Sequence, residues 1–148
     1  MSEPAPSQGT TAEEVIFLAP GAGRHYDAGP MHAVFKADGE ETADRYCISE
    51  WWLQAGDSGP GRHSHDDNVE LFYVIEGTMS FLAGDGWLDA PAGSFLRIPA
   101  GVTHDFENRS TERAGVLNVF LPGGFEVLMP AIVNYFAEQG DAHRGARR

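Results

Sequence analysis

From Val15 onward, short apolar segments alternate with clusters of turn-forming residues. VIFLAP and MHAVFKA are apolar, whereas GAGRHYDAGP between them and DGEETAD after them carry turn signals. The run from Arg45 to Gln54, RYCISEWWLQ, is a strong strand candidate that ends in the loop AGDSGPG. Beyond it come ELFYVI, TMSFLA, WLDA, SFLRIP, THDFEN and AGVLNVFLP, separated by Gly77, Gly84-Asp85-Gly86, Pro91-Ala92-Gly93, Ala100-Gly101 and Asn108-Arg109-Ser110. Many short strands between such turns predict an all-β sandwich or barrel rather than βαβ units. Asp85-Gly86 suits a tight hairpin, where backbone with φ > 0 matches the strand twist.

Two stretches depart from this alternation. Leu71 to Ile75 is apolar at every position, so both faces of its strand want cover. One face must line the interior; the other predicts a further element or a second subunit, and a homodimer is the expectation. Near the C-terminus, Leu128, Met129, Ile132, Val133 and Phe136 recur at helical spacing. Pro130 fits a first helical turn, and Gly140 is placed to end the helix. Such a helix packs on the outside of the barrel or lies as a lid over a pocket. Residues 1–12 are polar and proline-bearing and predict a disordered tail. The folded domain is therefore expected over 13–140, with 141–148 as a basic tail.

Composition narrows the function classes. The 148 residues carry a formal net charge of −12, which argues against nucleic acid, whose phosphates call for clustered Lys and Arg. Eighteen glycines and nine prolines suit a fold of short strands and tight turns. Cys47 is the single cysteine, so no internal disulfide forms. That, with a start lacking the pattern of a signal peptide and no apolar run near the ~20 residues of a membrane span, sets the expectation of a cytoplasmic protein without membrane contact.

The candidate chemistry lies in two compact blocks. In the first, His63-Ser64-His65 precedes Glu70 by four residues and Gly77 follows six residues later. In the second, Gly93, Pro99, Gly101, His104 and Asn108 follow one another at intervals of five, one, two and three residues. Residues two apart on an extended strand share a face, so His63 and His65 present two imidazoles side by side. Asp66 to Val69 can turn the chain, and Glu70 then starts the returning strand facing the same interior. His104 must arrive from elsewhere in the barrel, after a turn shaped by Pro99 and Gly101. Three neutral imidazoles and one carboxylate suit one divalent transition metal: Fe, Ni, Mn, Co, Cu or Zn. In octahedral geometry four protein ligands leave two positions open.

These blocks resemble the cupin superfamily, whose two motifs read HXH-X4-E-X6-G and G-X5-PXG-X2-H-X3-N. Every fixed position is matched, by His63, His65, Glu70, Gly77, Gly93, Pro99, Gly101, His104 and Asn108. The one departure is the glycine the family places six residues before the first His, which falls on Asp57 here. The resemblance implies a double-stranded β-helix, a jelly-roll β-barrel with a short C-terminal α-helix. It also implies that His63, His65, Glu70 and His104 carry the metal.

Counted by strand parity, Phe72, Val74 and Phe106 share the ligand face, and one of Trp51 and Trp52, here taken as Trp52, joins them in an apolar substrate pocket. His25, His32 and His143 are expected to be structural or exposed, and Glu76 and Asp105 to be solvated. The layout resembles small cupins related to quercetin 2,3-dioxygenase. That resemblance implies a dioxygenase using a flavonol-, enol- or diketone-like substrate and dioxygen, with Glu70 as base or hydrogen-bonding group. The alternatives are a metal-dependent isomerase, cyclase or lyase without oxygen, and a non-catalytic small-molecule-binding barrel.

Overall fold

The computed structural model describes residues 14–146, with 141–146 as backbone only. The expected tail over 1–12 lies outside the described residues, as do 147–148 and the side chain of His143. Among the described residues, nine strands form two antiparallel sheets. The strands are β1 (Arg24–Ala28), β2 (Met31–Ala37), β3 (Cys47–Leu53), β4 (Val69–Glu76), β5 (Thr78–Ala83), β6 (Gly86–Pro91), β7 (Phe95–Ile98), β8 (His104–Glu107) and β9 (Ala114–Leu121). The larger sheet runs β1-β2-β3-β9-β4-β7 and the smaller β6-β5-β8. This is the expected jelly-roll barrel.

The period of two decides what faces inward. In β3, Cys47, Ser49, Trp51 and Leu53 are buried while their neighbours are not. In β4, Glu70, Phe72 and Val74 point inside. Cys47, Trp51, Leu53, Phe72 and Val74 make one continuous apolar core with Phe35, Phe81, Phe106 and Val116. Gly77 closes the tight link between β4 and β5 at φ +69°, where a Cβ would stand 2.3 Å from the Arg113 carbonyl oxygen. Only glycine fits there, which accounts for its place in the motif.

Three local readings differ from expectation. Val15 to Leu18 is not a strand; it lies exposed along the barrel, and the first strand falls instead in the turn-rich GAGRHYDAGP. Its partner β2 supplies the apolar face that β1 lacks by itself. DGEETAD contains a short helix, α1 (Gly39–Thr42), started by a reciprocal cap between Asp38 and Glu41. The C-terminal helix α2 (Met129–Ala146) starts beside Pro130 as expected, after a 3-10 turn at Phe125–Leu128, but runs through Gly140. A glycine inside a helix costs about 1 kcal/mol relative to alanine and does not by itself end one.

The outward face of β4 is uncovered. Tyr73 is 49% exposed and Ile75 40%, and Phe95, opposite Tyr73 on β7, is 62% exposed. Val15 and Phe17 are exposed as well.

Candidate metal centre

His63 and His65 sit in the loop before β4 rather than on a regular strand. That loop is fastened to the start of β8. His63 and His104 exchange both main-chain hydrogen bonds, at 3.0 and 2.8 Å, and the Gly101 N–H donates to the His65 carbonyl at 2.8 Å. The distant His104 is thereby brought beside the histidine pair. Ring centroids of His63 lie 5.1 Å from His65 and 4.3 Å from His104. Gly101, at φ +82°, makes the turn that delivers this pairing.

Glu70 is the second residue of β4, opposite Ile98 and Phe120 in register. His63, His65, Glu70 and His104 each offer one ligand atom, all within 4.8 Å of one another. The four residues predicted as ligands are thus gathered into a group able to hold a metal ion.

The hydrogen bonds behind the rings aim them. His63 Nδ1 donates to the Gly61 carbonyl at 2.7 Å, and His104 Nδ1 donates to the Val102 carbonyl at 2.9 Å. Each neutral ring then carries its lone pair on Nε2. His65 is held by edge-on packing against Phe120, at 5.0 Å between centroids. Nε2 of His65, Nε2 of His104 and Oε2 of Glu70 are buried and have no hydrogen-bond partner. Buried polar atoms are otherwise paired almost without exception, so converging orphans of this kind fit a shared cation.

Electrostatics agree with the donor set. Burial lowers the pKa of His65 below the usual imidazole value, keeping its ring neutral and ready to ligate. Burial opposes protonation of His104 too, but its close contact with Glu70 and the Val102 carbonyl outweigh that and raise its pKa.

Above these residues opens a chamber of about 360 Å³, lined by His63 and His65 together with Trp51, Phe125, Ile132 and Phe136 among others. Leu128, Ala131 and Tyr135 also belong to its wall, so α2 lines the chamber rather than merely packing outside the barrel. Phe136 docks the helix on the β1–β2 turn, where Gly29 has no room for a Cβ. A smaller inner cavity of about 30 Å³ lies among Glu70, Asn118, Phe72 and Phe106.

The predicted pocket residues divide. Phe72 and Phe106 line the inner cavity, but Val74 is fully buried core opposite Val116 and reaches neither space. Trp52 is a correction. It points outward, flat against Gly115, with the Arg113 guanidinium 4.6 Å from its ring, while Trp51 faces the site. The register with β9, Trp51 to Val116 and Trp52 to Gly115, decides between them.

Asp105, expected to be solvated, is buried; its carboxylate accepts the N–H groups of Gly61 and Phe106 and so anchors the histidine loop. Burial raises its pKa. Glu76 is exposed as expected and pairs with Arg113. His25 and His32 hydrogen-bond to each other at 2.8 Å on the outside of the large sheet, away from the site. Asn108 is structural, donating to the carbonyls of Leu53, Gln54 and Glu112. Sequence reasoning named Trp51 only as the alternative to Trp52 and the C-terminal helix only as an alternative lid, and it missed Asn118 and Phe125 as lining residues. Asn118 alone carried a signal, as a polar residue inside the apolar run AGVLNVFLP.

A barrel of two antiparallel sheets with a three-His, one-Glu group at one mouth defines a class of metal-site jelly rolls. A family model described as "Cupin domain" matches residues 49–120. With the fold and the site, that match supports a small cupin-superfamily protein. Over 85 residues it is 31% identical to quercetin 2,3-dioxygenase of Bacillus subtilis (strain 168), an alignment covering 56% of this chain and 22% of that protein. The chain thus spans about a fifth of that relative's length. Among solved structures it is similar to KdgF from a Halomonas species, with TM-score 0.67, 13% identity, and coverage of 78% of this chain and 100% of that one. A predicted oxalate decarboxylase from Thermotoga maritima superposes with TM-score 0.61 and 17% identity, over 67% of this chain and 90% of that one. At such identities the two structures speak for the fold alone. No described helix is long and apolar enough to cross a membrane.

Proposed function

We propose that this chain is a metal-dependent dioxygenase acting on a flavonol-, enol- or diketone-like molecule. The observation that carries the reading is the chemistry of the chamber wall: none of its lining residues is Lys, Arg, Asp or Glu. A divalent ion held by neutral imidazoles and the Glu70 carboxylate leaves a net charge of +1, which one enolate neutralises. A second anionic group, as in a dicarboxylate or a phosphate ester, would be buried against Trp51, Leu128 and Ile132 without a counter-charge, at a cost of several kcal/mol. An apolar or aromatic molecule with one chelating oxygenated edge meets no such penalty. The kinship with quercetin 2,3-dioxygenase points the same way.

A bound divalent ion supplies Lewis acidity, favouring the enolate over the enol and orienting its oxygens. His63, His65 and His104 would hold the ion through Nε2 and Glu70 through Oε2. Trp51, Phe125 and Phe136 pack the substrate body and exclude water, which strengthens every polar contact beneath. Glu70 is the sole carboxylate among the residues lining the two cavities. It is therefore the group placed to accept the enol proton or a hydrogen bond from it, at Oε1, while Oε2 would stay with the ion; the charge balance above holds once that proton has passed on to solvent.

The first measurement is elemental metal content of chain purified without a metal-affinity tag, followed by oxygen uptake after reloading with each divalent metal in turn. Oxygen consumption in step with loss of a flavonol or diketone supports the reading. Equal turnover under strict anaerobiosis overturns it in favour of an isomerase, cyclase or lyase, and a ligand that binds and leaves unchanged favours a binding barrel.

A further inference from the structure

Asn118 sits in the middle of β9, paired with Ser49 on one side and Phe72 on the other. Its side chain points inward and is 3% exposed. Burying a carboxamide is costly unless it is hydrogen-bonded, and the partner Asn118 has is Glu70: Nδ2 donates to Oε1 at 3.2 Å. Asn108, by contrast, spends its amide on main-chain carbonyls and holds a turn. The Asn118 amide therefore serves the site.

What it does there follows from the two oxygens of Glu70. Oε2 faces Nε2 of His104 in close contact and lies 3.6 Å from Nε2 of His65, whereas Oε1 is engaged by Asn118. A carboxylate can give a metal one oxygen or both, and a second oxygen would fill a position otherwise open to an incoming molecule. The inner cavity of about 30 Å³ beside Glu70 and Asn118 is large enough for a water-sized molecule. Space for a small second reactant is thus kept next to the carboxylate that the amide restrains.

We propose that Asn118 is a positioning residue that holds Glu70 to one-oxygen ligation and so keeps two exchangeable coordination positions at the metal. The proposal rests on the assignment of His63, His65, Glu70 and His104 as ligands.

The test uses the full chain loaded with Mn(II), with inner-sphere water counted by the proton relaxivity of bulk water and metal content measured on the same samples. Asn118→Leu, close in shape but without the donor, is compared with Asn118→Ala, so that one folded variant suffices if the other fails. Released from the amide, Glu70 closes on the metal with both oxygens, and the inner-sphere relaxivity per manganese falls to about half as one of two water positions is lost. Manganese remains bound at wild-type stoichiometry, and the EPR line shape changes with the donor set. Full manganese with wild-type relaxivity and line shape in the folded variants overturns the role of Asn118 alone. A wild-type chain that takes up no manganese or any other divalent ion overturns the ligand assignment beneath it.

Discussion

Removing the His104 imidazole tests the site most directly, because this one ligand is contributed from far along the chain. His104 is buried, with Nε2 aimed at Glu70 Oε2 and no other partner. Its main chain stays bonded to His63 in the alanine variant, so the loop keeps its place. At metal concentrations 100-fold above Kd, binding stabilises the native chain by about 2.7 kcal/mol. For a domain of this size that is a rise in Tm of roughly 5–11 °C. Loss of even an outer-sphere partner weakens metal binding by about 10–100-fold, and loss of a direct ligand exceeds that. At the same metal concentration the His104→Ala variant then retains at most about 0.4 kcal/mol of stabilisation. Thermal melts with and without divalent metal, alongside elemental analysis after desalting, read this difference. Near-wild-type metal content and an undiminished shift in a folded His104→Ala chain would refute the assignment.

Acidification should release the metal, since each ligating imidazole must be neutral. His104, whose pKa is raised in the metal-free chain by Glu70, stabilises that chain at low pH, and this contribution is lost as pH rises through its folded pKa. The metal-induced Tm shift should accordingly grow between pH 5 and pH 8, and a shift independent of pH there contradicts proton–metal competition. Cys47 is fully buried, with its pKa pushed up to about 12 chiefly by burial. It should resist a disulfide reagent at pH 8 in the native chain and react once in denaturant; rapid native labelling would contradict the packing. The uncovered patch of Tyr73, Ile75 and Phe95 leads us to expect a dimer in solution. Light scattering should report twice the chain mass for wild type and a single chain for Tyr73→Glu with Phe95→Glu; a monomeric wild type ends that expectation.

The amino-acid sequence by itself determined an all-β fold of short strands, because alternation with period two and turn residues are local properties of the chain, and the resemblance of its two spaced blocks to the cupin motifs implied the jelly-roll barrel and the four candidate ligands. Gly77 and Gly101 could be placed in advance for the same reason: each stands where a tight turn demands φ > 0. Which of two adjacent tryptophans faces inward is a question of register, and only pairing with β9 answered it, by setting Trp52 over Gly115. The first strand lay hidden in a turn-rich stretch because its burial comes from β2 and not from its own residues. Asp105 is drawn inside by two main-chain donors, one of them from Gly61, far away in sequence. The chamber wall depends on where α2 comes to rest, through Phe136 against Gly29. Asn118 gains its meaning only when β9 lies beside β4 and sets its amide against Glu70. Contacts between residues distant along the chain are decided by how whole sheets and helices pack, and local patterning carries no record of them.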